Sequence, residues 1–435
     1  MIENKVLKNA GKAYFVAVAV MMYYFLNEEI NLGVFITYRH AFALVLAASM
    51  VLYFLFKPNI ARGAAAVKPA LVYCAPLLVT TLASMFIWYE CRVDTDVISR
   101  GLSAMYIYCN MLSSTLAAVA FLYIFGEKGI WYNLIAILIS NILSLFIIIA
   151  ENGIGPFVSE LVTLIVTFAA ETGEIIVQAE IHELAFCLGA YLIYMLLKPK
   201  KNMTFFLLFG LSLLCFLASF KRIGIIAIVV AVAFGWLLMF IGKFKNSVAR
   251  NLTIILSVVI VFLMIGYVAI IKMDVFSILE KAGIDTSGRV DIYHAVDKYY
   301  NFSPDYLGNG IGFLAYQLNN DPTVGVVAVH NDFLQYYIDL GFWGYILWLL
   351  AMILVRVCYF GAKGKTDNAI ITFALCVYLF VVSATDNTAN YPLVATVLAI
   401  IMVGHGFDER VRTKEQKLFG YVSKINRETK DGSML

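Results

Sequence analysis

The stretch HNDFLQYYIDLGFWGYILWLL, residues 330–350, begins with an imidazole, an amide and a carboxylate and ends as an apolar run. Apolar runs of similar length, separated by short charged breaks, recur along the whole chain. A helix of about twenty apolar residues matches the thickness of the hydrocarbon core of a bilayer. The stretch therefore predicts a membrane-spanning helix whose polar start lies at a membrane surface.

The overall composition is that of a membrane protein. The 435 residues are 62% hydrophobic and 14% charged, with a mean hydropathy of +0.84. A soluble domain is about half apolar and a quarter charged. The net charge of +3 is too small to indicate nucleic-acid binding. The seven cysteines form no CxxC pair, so they indicate neither a disulfide framework nor a thiolate metal site. The sequence predicts an all-α polytopic membrane protein.

Run length and charge predict about twelve transmembrane helices. Their approximate centres are Val18, Leu44, Val79, Ser113, Ile139, Gly189, Leu211, Val230, Ile260, Leu349, Val377 and Leu398. With alternating spans, the lysine- and arginine-rich breaks all fall on one side. The positive-inside rule makes that side cytoplasmic, and both termini with it.

The same pattern divides the chain into four parts. Residues 1–271 hold nine transmembrane helices, and residues 272–335 form one long extracytoplasmic loop. Residues 336–406 hold the last three helices, and residues 407–435 form a basic cytoplasmic tail. Because the tail is basic, it is expected either to be solvated or to touch anionic lipid of the inner leaflet.

The long loop has the composition of a folded segment. Loops above about 12–15 residues without structure of their own are uncommon unless they are functional or disordered. This loop is rich in aromatic residues, and GRVDIYHAVDKYY, residues 288–300, has helical spacing at Val290, Tyr293 and Val296. The glycine string GNGIG, residues 308–312, follows no strand of a βαβ unit and predicts a tight turn. We expect a partly helical subdomain that carries the chemistry.

Two cations open the eighth predicted span, against the charge rule. Lys221 and Arg222 lie at its extracytoplasmic end. A cation at membrane depth costs about 2.5–3.5 kcal/mol on insertion scales, so it usually has a partner or a function. The alternative is that both side chains snorkel to the outer head groups.

The polar start of the quoted stretch is the main candidate for catalysis. A helix beginning near Asn331 places His330 at its N-terminus, where backbone donors favour an anion such as pyrophosphate. Histidine is the residue that most easily gains and loses a proton near neutral pH. Asp332 and Asp339 are seven residues apart and share a helical face. A purely structural histidine is the alternative. Gly341 and Gly344 are expected to allow close helix packing.

Taken in order, these motifs resemble the O-antigen ligase and polysaccharide polymerase superfamily of bacterial membrane proteins. The pattern His-Asn-x-aromatic-Leu-(four)-Asp/Glu-x-Gly-x-x-Gly is matched at His330, Asn331, Phe333, Leu334, Asp339, Gly341 and Gly344. SFKR resembles the family's Ser-x-(Lys/Ser)-Arg at Ser219, Lys221 and Arg222, and IHELAFCLGAYLIY resembles a stretch of capsule and exopolysaccharide polymerases. The clear motifs cover about residues 221–348.

The resemblance implies a GT-C-like glycosyltransferase that takes a glycan from a polyprenyl pyrophosphate on the outer leaflet. It implies that Arg222 and Arg289, with Lys221, hold the pyrophosphate. It implies that His330 receives the proton of the attacking sugar hydroxyl or orients that hydroxyl, with Asp332 as the second choice for the base. The family's chemistry needs no metal and no cofactor.

Weaker candidates lie elsewhere in the predicted outer loops. Glu171, His182 and Glu183 belong to an acidic cluster that either binds acceptor hydroxyls or merely caps a helix. Tyr293 and Asn331 are weak candidates for sugar contacts. The triplet DTD, residues 94–96, resembles the acidic pair by which other GT-C enzymes hold a divalent ion, although three-residue matches are frequent by chance.

The predicted function is polymerisation of lipid-linked oligosaccharide repeat units into O-antigen, capsule or exopolysaccharide. The expected partners are the polyprenyl-pyrophosphate-linked oligosaccharide, the bilayer of a bacterial plasma membrane and a chain-length regulator protein, with no nucleic acid. A ligase that transfers the glycan to another acceptor is the nearest alternative. A flippase for the same lipids is the alternative of another class. A transporter places charges midway through spans and shows paired halves, whereas the ionisable groups here are expected at the outer rim.

Overall fold

The computed structural model describes residues 2–27, 38–91, 95–167, 182–200, 202–219, 221–282, 288–320, 328–362, 365–388 and 391–417. All regular secondary structure in these ranges is helical. The helices are α1 Ile2–Asn27, α2 Tyr38–Phe56, α3 Ile60–Tyr73, α4 Ala75–Glu90, α5 Thr95–Phe125, α6 Gly129–Asn152, α7 Ile154–Thr167, α8 His182–Leu197, α9 Met203–Ala218, α10 Arg222–Phe244, α11 Asn246–Lys272, α12 Val275–Lys281, α13 Arg289–Val296, α14 Phe313–Asn320, α15 Asp332–Leu349, α16 Arg356–Phe360, α17 Thr366–Ser383, α18 Pro392–Gly404 and α19 Phe407–Lys417. A π-helical segment, Leu350–Val355, joins α15 to α16.

The helices confirm a multi-pass membrane protein. Five helical segments of the described chain are long and apolar enough to cross a bilayer, or up to seven if each bent pair counts as one span. Four shorter apolar helices accompany them. Each of the twelve predicted centres lies inside a helix. The count of twelve crossings is nevertheless not confirmed, because several of these helices are short or bent.

Burial separates central helices from peripheral ones. In α17, 83% of the most apolar window is buried, whereas the figures for α10 and α11 are 33% and 22%. A helix that is hydrophobic all round is buried inside a large protein or faces lipid. We therefore place α17 at the centre of the bundle, where it packs on α10, and α10 and α11 at the lipid-facing edge.

The third predicted span is a bent pair of helices. α3 and α4 meet at Cys74 with an angle of 47°, and Pro76 lies in the first turn of α4. Proline is tolerated there because the first backbone N–H groups of a helix have no intrahelical acceptor. Lys57, Arg62 and Lys68 form one of the lysine- and arginine-rich breaks between predicted spans. Arg62 and Lys68 nevertheless lie in a helix, α3.

The basic breaks gather at one end of the bundle. Lys198 pairs with Asp367 at 2.5 Å, and Lys365 pairs with Glu409 at 2.8 Å. This arrangement agrees with alternating spans, since these residues come from three separate breaks. Which end faces the cytoplasm remains a prediction.

The stretch of residues 330–350, quoted above, is not one continuous helix. α15 breaks at Gly341, which has φ 69° and ψ −177°. The rings of Tyr336 and Trp348 stack with centroids 4.0 Å apart, and those of Phe333 and Trp348 lie 6.2 Å apart. Twelve residues of straight helix would separate the first pair by about 18 Å. Residues 332–340 therefore fold back along the second half of α15, and Asp332 lies inside the bundle. The polar start is thus buried among helices at Asp332, and its position at a membrane surface stays a prediction.

Candidate functional site

The site is organised around a short connection between α17 and α18. We call residues 383–388 the polar turn. Arg289 Nη2 donates a hydrogen bond to the carbonyl oxygen of Thr385 at 2.7 Å. Lys221 Nζ lies 3.9 Å from Asp386 Oδ2. Two of the three predicted pyrophosphate-binding residues, from distant parts of the chain, therefore meet at the polar turn.

Asp332 contacts the same turn at another residue, Thr388. Its side chain is buried, and its Oδ2 accepts a hydrogen bond from Thr388 Oγ1 at 2.5 Å. The hydroxyl groups of Thr388 and Ser383 are hydrogen-bonded to each other. Hydrogen bonds to a carboxylate are shorter and stronger than those between neutral groups. Asp332 thereby links the start of α15 to the polar turn.

Lys221 and Arg222 begin α10 beside this turn. Both side chains are half-buried, and Lys221 Nζ also lies 5.8 Å from the ring centroid of Phe186. Tyr391 donates a hydrogen bond to Asp386 Oδ1 at 2.8 Å. A cation at the start of a membrane span was expected to have a partner, and Asp386 is that partner for Lys221.

Asn331 fixes the start of α15. Its Oδ1 accepts a hydrogen bond from the backbone N–H of Leu334, and its Nδ2 donates to the hydroxyls of Tyr267 and Tyr293 at 3.1 Å and 3.0 Å. An asparagine at the N-cap stabilises a helix in this way. Asn331 and Tyr293 are both buried, so the structure places these two candidate sugar contacts inside the protein.

His330 points the other way. It is exposed, and it has a φ of 49°. Among the described non-glycine residues, only Asp274 shares such a left-handed backbone. This conformation costs about 1–2 kcal/mol for a non-glycine residue, and strain of that kind tends to persist at functional sites. The reversal leaves the imidazole accessible while the next two side chains are buried.

A cavity of about 60 Å³ lies beneath the polar turn. Asp332, Ser383 and Thr388 line it at one end and Arg356 at another part of its wall. Most of the remaining lining is apolar, with side chains from α3, α4, α5, α17 and α18. Lys221 and Arg289, which contact the polar turn, do not line this cavity, and neither do Arg222 and His330.

Arg356 is a charged residue that the sequence analysis misplaced. It begins RVCYFGAKGK, one of the lysine- and arginine-rich breaks that the prediction placed on the cytoplasmic side, but it is 0% exposed inside the bundle. Its Nη2 donates to the carbonyl oxygen of Tyr73 at 2.6 Å, and its guanidinium lies 4.1 Å from the centroid of that ring. The expectation that ionisable groups stay at the outer rim was therefore wrong. Because a transporter also places charges inside its bundle, the buried Arg356 weakens the case against a transporter.

Asp339 has a structural role in the glycine string. Its carboxylate accepts hydrogen bonds from the backbone N–H groups of Gly312 at 3.0 Å and Leu314 at 2.9 Å, at the start of α14. Its carbonyl oxygen accepts one from Gly310 at 2.7 Å. The string is thus the predicted tight turn, and Asp339 holds it against α15.

We expect Asp339→Asn to destabilise the protein by about 1–3 kcal/mol, because the amide offers one acceptor oxygen to two buried N–H groups. The measurement is the midpoint of thermal unfolding in detergent. Asp305→Asn, at an exposed loop position, is the matched control and should leave the midpoint unchanged. Equal midpoints for both variants would contradict the capping role.

Of the predicted acidic cluster of Glu171, His182 and Glu183, the structure describes the side chain of Glu183. Glu171 and Asp94 lie outside the described residues, as does the side chain of His182. Burial raises the pKa of Tyr391, and the carboxylates of Asp386 and Glu183 raise it further. Within the described ranges, no three His, Cys, Asp or Glu side chains are grouped as metal ligands.

The sequence analysis missed the polar turn itself. Neither Asp386 nor Thr388 was among its candidate residues. The available signal was TDNTANY, residues 385–391, a segment with five polar residues of the Thr, Asp and Asn types between two apolar runs. Such a segment has no distinguishing pattern until its neighbours in space are known.

Comparison with known families adds an independent finding. A family model described as "O-Antigen ligase" matches residues 184–349, from the start of α8 to the end of α15. No curated protein matches the chain. The matched segment contains Arg222, Arg289, His330 and Asp332, and the polar turn follows it. Residues 184–349 are therefore similar to the O-antigen ligase family, whose members are glycosyltransferase-like enzymes.

Proposed function

We propose that this protein is a metal-independent GT-C-like glycosyltransferase that joins polyprenyl-pyrophosphate-linked oligosaccharide repeat units into O-antigen, capsule or exopolysaccharide. The proposal includes twelve crossings of a bacterial plasma membrane, cytoplasmic termini and a site on the outer face. It also includes a chain-length regulator protein as a partner. The observation that carries it is the convergence of Lys221, Arg289 and Asp332 on the polar turn, with His330 exposed beside them.

The cations suit a pyrophosphate leaving group. The guanidinium group is well matched to phosphate oxygens, and cations placed where negative charge develops lower the barrier. In the proposed reaction, an acceptor hydroxyl oxygen bonds to the anomeric carbon of the donor glycan. The bond from that carbon to the phosphate oxygen breaks, and its electron pair leaves with the pyrophosphate beside Arg222 and Arg289.

The proton of the acceptor hydroxyl goes to His330 in this scheme. The imidazole is exposed and within reach of an acceptor glycan that arrives from solvent. Asp332 is buried and already accepts a hydrogen bond from Thr388. We therefore assign His330 as the base and Asp332 as a positioning residue that holds the polar turn.

The decisive experiment is incubation of the purified protein with polyprenyl-pyrophosphate oligosaccharide alone. Lengthening of the lipid-linked chains is the expected result. Transfer only after addition of a second acceptor would identify a ligase, the candidate that the description of the matched family model favours. Unchanged lipid that moves across a vesicle bilayer would identify a flippase and refute the proposal.

We expect Arg289→Lys to lower the rate of transfer on the order of 10²-fold, because lysine keeps the charge but loses the planar fork of donors. The measurement is the kcat and KM of the purified variant. Arg412→Lys, an exposed position at the opposite end of the bundle, is the control and should keep full activity. Wild-type rates for Arg289→Lys would remove the pyrophosphate assignment.

A further inference from the structure

A large basic cavity lies at the end of the bundle away from the polar turn. Its volume is about 600 Å³, and it lies between α3, the residues around the end of α16, the start of α17 and α19. The basic residues that line it are Lys68, Lys365, Arg410, Lys414 and Lys417. The one acidic residue among the described lining is Glu409, which pairs with Lys365. The cavity therefore carries a marked excess of positive charge.

Part of this charge is fixed in the wall. Arg410 Nη1 donates to the carbonyl oxygen of His405 at 2.9 Å, and its Nη2 donates to that of Val403. These carbonyls end α18, where no intrahelical donor remains. By contrast, the side chains of Lys414 and Lys417 are exposed on α19. The wall is thus rigid, while two of its lysines can move toward a ligand.

The cavity opens where the protein surface becomes apolar. On α3, Ile60, Val67 and Leu71 are 71%, 54% and 67% exposed, as expected of side chains that face lipid. α19 bends away from α18 by 51° and buries Phe407 and Val411. Lysines and arginines beside an apolar surface that faces lipid are typical of the head-group level of a membrane. The cavity therefore lies at the level of the lipid head groups.

We infer that this cavity binds the phosphate head group of an anionic phospholipid. The lysines neutralise the phosphodiester, and the acyl chains continue along the exposed apolar face of α3. Basic pockets between transmembrane helices recognise anionic head groups in this way. The inference is independent of the proposed glycosyltransferase activity, since no residue of the polar turn lines the cavity.

The test uses the full-length protein in detergent and the double variant Lys414→Gln/Lys417→Gln. The probes are dioleoylphosphatidylglycerol, dioleoylphosphatidylcholine and inorganic phosphate, and the readouts are Kd from native mass spectrometry and the thermal midpoint. We expect the wild type to bind and be stabilised by phosphatidylglycerol alone. The double variant should bind it about ten-fold more weakly.

The matched control is Lys243→Gln/Lys245→Gln, which removes the same charge from exposed positions at the same end of the bundle. The neighbouring Asn246 accepts a hydrogen bond from Thr366 at the start of α17, which fixes that location. The control should bind phosphatidylglycerol as the wild type does. If the double variant does not fold, Lys68→Gln on α3 replaces it, with the same expected direction.

Three results would overturn the inference. Equal weakening in the pocket variant and the control would mean general charge attraction rather than a site. Equal binding of phosphatidylcholine would mean that the head-group charge is not recognised. Stabilisation by inorganic phosphate alone would identify a soluble anion, not a lipid, as the occupant.

Discussion

Replacing His330 by asparagine is expected to lower the rate of glycan transfer by about 10²–10⁴-fold, the usual contribution of a general base. Asparagine is the informative substitution because it tolerates the left-handed backbone that His330 adopts. Alanine would add backbone strain to the loss of the imidazole. The measurement is the single-turnover rate of the purified variant, with its abundance in the membrane as the check on folding.

Two further variants make this result specific. His294→Asn removes another exposed histidine, which lies in α13 and contacts Asp274 at 2.8 Å, and should keep full activity. Asp332→Asn keeps an oxygen that can accept the hydrogen bond from Thr388, so its loss should be smaller than that of His330→Asn. A full loss in Asp332→Asn with normal activity in His330→Asn would reverse the assignment of base and positioning residue.

Gly341→Ala is expected to remove the folded protein from the membrane. Gly341 has a φ of 69°, and an added Cβ would lie 2.2 Å from the carbonyl carbon of Leu307. That neighbour is backbone and cannot rotate away. The reverse contact is equally close, because a Cβ on Gly308 would lie 2.3 Å from the backbone nitrogen of Gly341. We expect a destabilisation on the order of 4 kcal/mol or more, a large share of the usual 5–15 kcal/mol of total stability.

Membrane abundance and the thermal unfolding midpoint measure this effect. Gly266→Ala is the control, since a Cβ there meets no atom within 4 Å. It lies in α11, where alanine is favoured over glycine by about 1 kcal/mol, so stability should be kept or slightly raised. A wild-type midpoint for Gly341→Ala would show that the helix break is not needed for folding.

Local patterns in the sequence predicted several parts of the candidate site correctly. The spacing of Val290, Tyr293 and Val296 predicted a helix, and α13 buries all three. The glycine string predicted a tight turn, and its glycines at 308, 310 and 312 all have positive φ. These predictions depend only on neighbours in the sequence, which is why they could be made from periodicity and turn chemistry.

Predictions about depth and proximity were less successful. The break at Gly341 could not be foreseen, because glycine is common in transmembrane helices and need not bend them. It decides the position of Asp332, which the reversal carries into the bundle. Arg356 was assigned to a basic break because it precedes one, although its side chain packs on Tyr73.

By itself, the sequence determined that the chain is helical and membrane-embedded, because apolar runs of about twenty residues are typical of helices surrounded by lipid. It also determined which cations and which histidine were worth attention. Only the tertiary structure decided that Arg289, Lys221 and Asp332 meet at the polar turn. Their meeting depends on how the helices pack and on the backbone reversal at Gly341. Neither produces a periodic pattern in the sequence.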